Sequence, residues 1–139
     1  QANRRYLDAL ANVQAKSQAV DELDALCLSR VVDGVRRPRF NPVAPEDYRL
    51  FLAVLAGEHM IRGFRSRDLR ERIFPPTVDP VELGRQRQRA SRLIRKLRAH
   101  GLVSKVQRQR LYRVTARGAR VMGAVIRMRQ VDFPEAAAA

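Results

Sequence analysis

Apolar residues recur along this chain in two rhythms, a helical one over long stretches and a short β-rich one at two places. Tyr6, Leu7, Leu10 and Val13 fall at helical spacing, and Val20, Leu23, Leu26 and Cys27 resume the stripe, which predicts helix over residues 3–28. The polar stretch 14–18 interrupts it. Ser17, with Asp21, Glu22 and Asp24 after it, has the chemistry to cap and charge the start of a second helix, so the segment reads as one helix or as two. Cys27, on the stripe, reads as a small core residue. Residues 31–36 place Asp33-Gly34 between β-branched residues, a tight-turn signature, and Pro38, Pro42 and Pro45 then disfavour helix. Residues 31–44 are therefore a hairpin or an extended connector.

From Pro45 the helical rhythm dominates. Pro45 opens a helix whose first turn carries Glu46 and Asp47, and Tyr48, Leu50, Phe51, Leu52, Val54 and Leu55 make it a core element ending near Gly57. Residues 61–64 suggest a short bridge or strand. Ser66 is the expected cap of a short helix containing Leu69, Ile73 and Phe74, closed by Pro75-Pro76. Asp79-Pro80 marks the start of the longest helix, which runs to His100 with Ala90, Leu93, Ile94 and Leu97 on one face and Gly101 as a left-handed stop. Residues 103–106 and 111–114 are two β-rich runs around the polar tip 107–110. Thr115 is the expected cap of a last helix carrying Val121, Met122, Val125, Ile126 and Met128. Residues 130–139, ending in four alanines, read as a flexible tail. The fold class is mostly α with a small β-hairpin.

Charge sharpens this picture. The 139 residues carry 28 Lys+Arg against 14 Asp+Glu, a net charge of +14. Residues 1–61 hold eight of each sign, whereas residues 62–129 hold twenty cations against four carboxylates, a net +16. So one-sided a field favours a polyanionic partner, and nucleic acid is the partner class it indicates. No apolar run approaches the roughly 18 residues that span a bilayer, so no membrane role is expected. A single cysteine builds neither an internal disulfide nor a thiolate metal site, which fits a reducing, cytoplasmic setting. The chain opens on Gln1 rather than Met, as an excerpt of a larger protein would.

The candidate chemistry lies on the longest helix. If Ala90, Leu93, Ile94 and Leu97 are buried, Arg85, Gln88, Arg89, Ser91, Arg92, Arg95 and Lys96 project away from the core. A B-DNA major groove about 12 Å wide admits one helix. Arginine there pairs with both guanine acceptors and glutamine with the adenine edge. At the tip, Arg108 and Arg110 offer two guanidinium groups to a phosphate strand or to the minor groove, with Lys105, Leu111 and Arg113 facing outward and Tyr112 and Val114 inward. Arg65 and Arg67 flank Ser66 at a helix N-terminus, where backbone N–H groups also attract phosphate. Catalysis finds little support. His59 and His100 have no partner at metal-ligand or triad spacing, no glycine-rich phosphate loop exists, and neither enzyme activity nor a metal or cofactor is expected. His100, in a helix C-terminal turn, stands where a cation is favoured.

The segment Ser91-Arg92-Leu93-Ile94-Arg95-Lys96-Leu97-Arg98-Ala99-His100-Gly101-Leu102-Val103 resembles the recognition-helix region of winged-helix transcription factors, MarR- and ArsR-like ones especially. Tyr112-Arg113-Val114-Thr115-Ala116-Arg117-Gly118 is similar to their second wing strand and the start of their closing helix. The resemblance covers residues 45–129 and implies a winged helix-turn-helix domain preceded by an N-terminal helical arm at 1–30. It further implies helix 80–100 in the major groove of double-stranded DNA, wing 103–114 on the backbone or minor groove, and transcriptional regulation in a nucleoid-associated setting. Residues 1–30 and the closing helix are candidates for homodimerisation. The whole arrangement is similar to the C-terminal part of some larger bacterial proteins. A different class, an interaction or scaffold module of a larger nucleoprotein assembly, or a binder of structured RNA, stands as the alternative, because fold does not fix function.

Overall fold

A computed structural model of the chain describes residues 20–132. The apolar stripe at Tyr6, Leu7, Leu10 and Val13, the cap at Ser17 and the end of the tail lie outside the described residues. Residues 20–26 are helical (α1). The helix stops there, with a turn bond from the Cys27 N–H to the Asp24 carbonyl, so the helical wheel no longer governs position 27. Cys27 is exposed rather than in the core, which corrects its expected placement. Leu26, one residue earlier, is fully buried.

Residues 31–44 resolve into a hairpin and a packed connector. Strands β1 (Arg30–Val32) and β2 (Val35–Arg37) pair antiparallel with Val32 opposite Val35. Asp33 and Gly34 between them have φ of 51° and 76°, the double positive φ that a two-residue hairpin turn of matching twist requires. The hairpin's valines are exposed, and its anchor is Phe40, fully buried three residues beyond β2. The Phe40 N–H donates to the Leu26 carbonyl at 2.8 Å.

Helix α2 (Pro45–Val54) begins with Pro45 in its first turn and with Glu46 and Asp47 at its positive end, as the sequence predicts. The Asp47 carboxylate reaches back to accept the Asn41 N–H at 2.7 Å, fixing the chain's entry. A further helix, α3 (Gly57–Arg62), starts where α2 was expected to finish. Ile61 and Arg62 therefore close a helix instead of forming a strand. Only Phe64 pairs, in an isolated antiparallel bridge with Tyr112 through two 2.8 Å bonds. Gly63 makes this possible. Its φ is +78°, and a Cβ there would lie 2.6 Å from the Tyr112 carbonyl oxygen.

Helix α4 (Ser66–Ile73) ends before the prolines, as expected, but Ser66 is its first helical residue and Arg65 is the N-cap. Asp68 supplies the closing bond, accepting the Arg65 N–H at 2.8 Å. Helix α5 (Pro80–Ala99) is capped by Asp79, whose carboxylate accepts the Val81 N–H at 3.1 Å. Gln86, buried on α5, donates to the Pro75 carbonyl at 3.0 Å and ties the intervening loop to the helix. Gly101, at φ +73°, stops α5. Strands β3 (Val103–Lys105) and β4 (Tyr112–Val114) follow as a second antiparallel hairpin. Thr115 then accepts the Gly118 N–H at 2.8 Å and donates to the Gly101 carbonyl at 2.7 Å. That one hydroxyl caps α6 (Ala116–Asp132) and binds it to the end of α5.

One core joins these elements. It contains Leu26 and Phe40 together with Phe51, Val54, Phe64, Leu69, Ile94, Leu97, Leu102, Val121, Met122 and Val125. Leu26 and Phe40 bring segments before residue 45 into contact with this core. Two long-range polar contacts reinforce this. Glu22 on α1 receives a two-pronged bond from the Arg120 guanidinium, at 2.6–3.1 Å, which holds its carboxyl below the ordinary carboxylate range. Arg129 on α6 stands over the Tyr48 ring and donates to the Val43 carbonyl.

The core position of Phe40 has a measurable consequence. Phe40→Ala should lower unfolding stability by about 3–5 kcal/mol in denaturant titrations, as expected for a buried ring. Val31→Ser, on the exposed hairpin, should change it by less than about 0.5 kcal/mol. A mild effect of Phe40→Ala would show that the connector is not part of the core.

Candidate nucleic-acid interface

The face of α5 follows from its own packing. Gln86, Ala90, Ile94 and Leu97 are buried, with Leu93 half-buried beside them, and at 3.6 residues per turn the opposite side turns outward. Arg85, Gln88, Arg89, Arg92 and Arg95 are exposed there, and Ser91 is half-buried. Gln88, Ser91, Arg92 and Arg95 come together around a shallow concavity of about 470 Å³, joined by Arg87. Arg87 was not among the residues expected from the sequence. Its spacing of four from Ser91 is the signal that places it on the rim of this face.

Lys96 departs from expectation. It does not project away from the core but lies half-buried with its ammonium 4.1 Å from the centroid of the Phe40 ring. Burial lowers its pKa from the ordinary lysine value, partly opposed by the Asp47 carboxylate. On the same flank, Arg89 lays its guanidinium 4.8 Å over the Phe74 ring. Face-on aromatic contacts of this kind are electrostatically favourable and restrict the cation's position.

Among the described residues the ion pairs are Arg67–Glu71, Arg72–Glu58, Arg85–Glu82 and Arg120–Glu22. None of them engages Arg87, Arg89, Arg92 or Arg95. Arg85 leans toward Glu82 at only 3.9 Å, an exposed i,i+3 pairing of small energetic weight. Arg85 apart, the cations on the outward side of α5 have no carboxylate partner among the described residues.

The remaining expected residues divide into two groups. Lys105, Arg108, Arg110 and Arg113 are all exposed on the β3–β4 hairpin, with Tyr112 and Val114 packed inward and Leu111 half-buried rather than outward. Arg108 has φ +61°, a left-handed conformation that turns the chain at the tip. Arg65 and Arg67, in contrast, are not brought to α5. Arg67 pairs with Glu71 at 2.8 Å, and Arg65 lines a mixed-charge cleft with Glu58, Asp68 and Glu71.

His100 also differs from expectation. Its ring is buried against Phe40, 4.8 Å between centroids, and its Nε2–H donates to the Pro38 carbonyl at 3.0 Å. Desolvation dominates over that bond and, aided by Arg30, Lys96 and Arg117, holds the pKa below the ordinary histidine value. The ring is a neutral anchor for the hairpin exit, not a helix-end cation. No protein-family model, no curated protein and no solved structure matches this chain.

A pH dependence follows. The unfolded imidazole takes up its proton near pH 6.5, while the folded one does so only at lower pH. Stability is therefore full above about pH 6.5 and falls as the pH drops through the folded-state value. Melting temperature should decline on acidification below about pH 6.5, and His100→Gln, which cannot be protonated, should lack that part of the decline. An identical acid limb in wild type and variant would contradict this reading of His100.

Proposed function

We propose that this chain is a winged-helix DNA-binding domain that presents α5 to the major groove of double-stranded DNA and regulates transcription. The observation that carries the reading is the outward side of α5, where Gln88, Arg92 and Arg95 stand together without a carboxylate partner. These are side chains whose donors fit the edges of guanine and adenine, and a single helix fits the groove. Unpaired guanidinium groups on a rigid helix retain their full hydrogen-bonding capacity for a ligand.

The order of elements supports the same reading. α2 is followed by α3, Phe64, α4, α5 and the β3–β4 hairpin, and the Phe64–Tyr112 bridge adds a third short extended segment beside β4. α4 packs on α5, so α5 stands between a supporting helix and a hairpin, and this supports reading α5 as the recognition helix of a helix-turn-helix with the hairpin as its wing. The hairpin carries Lys105, Arg108, Arg110 and Arg113 into solvent. In this account it is the wing, and its arginines hold the sugar–phosphate backbone or the minor groove. The arrangement divides the labour: α5 reads bases and the wing contributes affinity.

Charge reversal separates these roles. Arg92→Glu with Arg95→Glu should weaken duplex binding by at least about 10²-fold in a fluorescence-anisotropy titration, since each good base contact contributes about 1–3 kcal/mol. Melting temperature should be unchanged, because both side chains are exposed. Retained affinity would remove α5 from the interface. Arg108→Ala with Arg110→Ala should instead weaken binding to all duplexes alike and reduce the slope of log K against log salt by about 1.8, at roughly 0.9 per phosphate contact. A loss confined to one duplex sequence would show that the hairpin reads bases. Single-stranded DNA and folded RNA belong in the same titration, and equal affinity for all three would contradict the duplex reading.

A further inference from the structure

The stretch of sequence with balanced charge contributes cations to the same side of the molecule. Arg37, the last residue of β2, and Pro38 border a concavity of about 400 Å³ whose other lining residues are Arg89, Arg92, Leu93 and Lys96 of α5. Four cationic side chains from two elements thus surround a small apolar floor, and no carboxylate is in the lining. Glu46 and Asp47 of α2 line the adjoining concavity, which shares Arg89, Leu93 and Lys96, and Asp47 already accepts the Asn41 N–H.

Two of these cations are held in place by aromatic rings. Arg89 is laid on Phe74 and Lys96 on Phe40, at 4.8 and 4.1 Å from the ring centroids. The Arg37 backbone is placed by its register opposite Arg30 and by Pro38, whose carbonyl is bound by His100. Burial costs the Lys96 ammonium part of its hydration, and an anion seated among these cations compensates that loss. Arg92 borders both this concavity and the outward face of α5.

We propose that β2 and α5 together form a phosphate site, in which Arg37, Arg89 and Lys96 enclose one backbone phosphate of the bound duplex and Arg92 stands at its border with the base-reading face. The proposal rests on the duplex reading above. A helix lying in the major groove is flanked on each side by a phosphate strand, and the β1–β2 hairpin stands at one flank of α5. Its role is to fix the register of α5 in the groove, while base choice stays with Gln88, Arg92 and Arg95. The chemistry at the site is that of a phosphate oxygen cluster. A free inorganic phosphate offers the same oxygens, so the two sources require separate arms.

The test compares wild type, Arg37→Ala and Arg37→Lys in anisotropy titrations over a salt series, with melting temperature as the control for folding. Arg37→Ala should weaken binding about 5–10-fold on every duplex and reduce the salt slope by about 0.9, the loss of one phosphate contact. Arg37→Lys should keep the wild-type slope. If Arg37→Ala binds with wild-type affinity and slope while the Arg92→Glu, Arg95→Glu double variant has lost binding, the phosphate site is overturned and the duplex reading stands. If wild type binds no duplex, the duplex reading fails, and inorganic phosphate decides the site. A rise in melting temperature with millimolar phosphate that Arg37→Ala abolishes would uphold an anion site for free phosphate, and no rise would overturn it as well.

Discussion

The ring of Phe40 is where three distant lengths of the chain meet. It packs 5.2 Å from Phe51 of α2 and 4.8 Å from His100 at the end of α5, and it carries the Lys96 ammonium on its face. Its own N–H is bonded to Leu26 at the end of α1. A two-stranded hairpin with exposed valines has little reason to lie anywhere in particular, since isolated hairpins are marginal in water. Phe40 and the His100–Pro38 bond supply that reason, and they fix the hairpin's basic end beside α5. The arrangement of cations on this side of the molecule is therefore a consequence of a buried aromatic cluster, not of the cations themselves, which repel one another.

A second constraint orients the other flank. Gly118 of α6 approaches the Leu102 backbone so closely that a Cβ would stand 1.9 Å from its carbonyl oxygen. With Thr115 bonded across to Gly101 and Leu102, the end of α5, the start of β3 and the first turn of α6 behave as one joint. The β3–β4 hairpin leaves this joint in a fixed direction, steadied from outside by the Phe64–Tyr112 bridge. α5 is thus held at both flanks by hairpins whose stems are anchored in the core and whose charged groups are free to meet a ligand.

The features legible in the sequence are those set by neighbours in the chain. Asp79-Pro80, the Gly101 stop, the Thr115 cap and the positive-φ pair Asp33-Gly34 each state a local backbone requirement that few other residues meet. The burial of Ala90, Ile94 and Leu97 likewise follows from spacing alone, and with it the outward face of α5. Contacts between distant segments were not legible. Nothing near Lys96 in the sequence indicates that Phe40 will lie beneath it, and nothing near His100 indicates that Pro38 will bury it. Cys27 was misplaced because the helix ends one residue before it, and Ser66 because Asp68 supplies the closing bond instead. Counting charge along the chain separated a balanced stretch from a basic one. In space the division fails, because Arg37 from the balanced stretch stands among the arginines of α5.

Contact between the outward side of α5 and base edges in the major groove is what the proposed function requires. Methylation interference on a duplex selected from a randomised pool tests it most directly, because a methyl group on guanine N7 blocks a major-groove acceptor while leaving the backbone intact. N7 methylation at guanines within the selected site should prevent binding. Interference from phosphate ethylation alone, with none from N7 methylation, would contradict it and reduce the protein to a backbone binder.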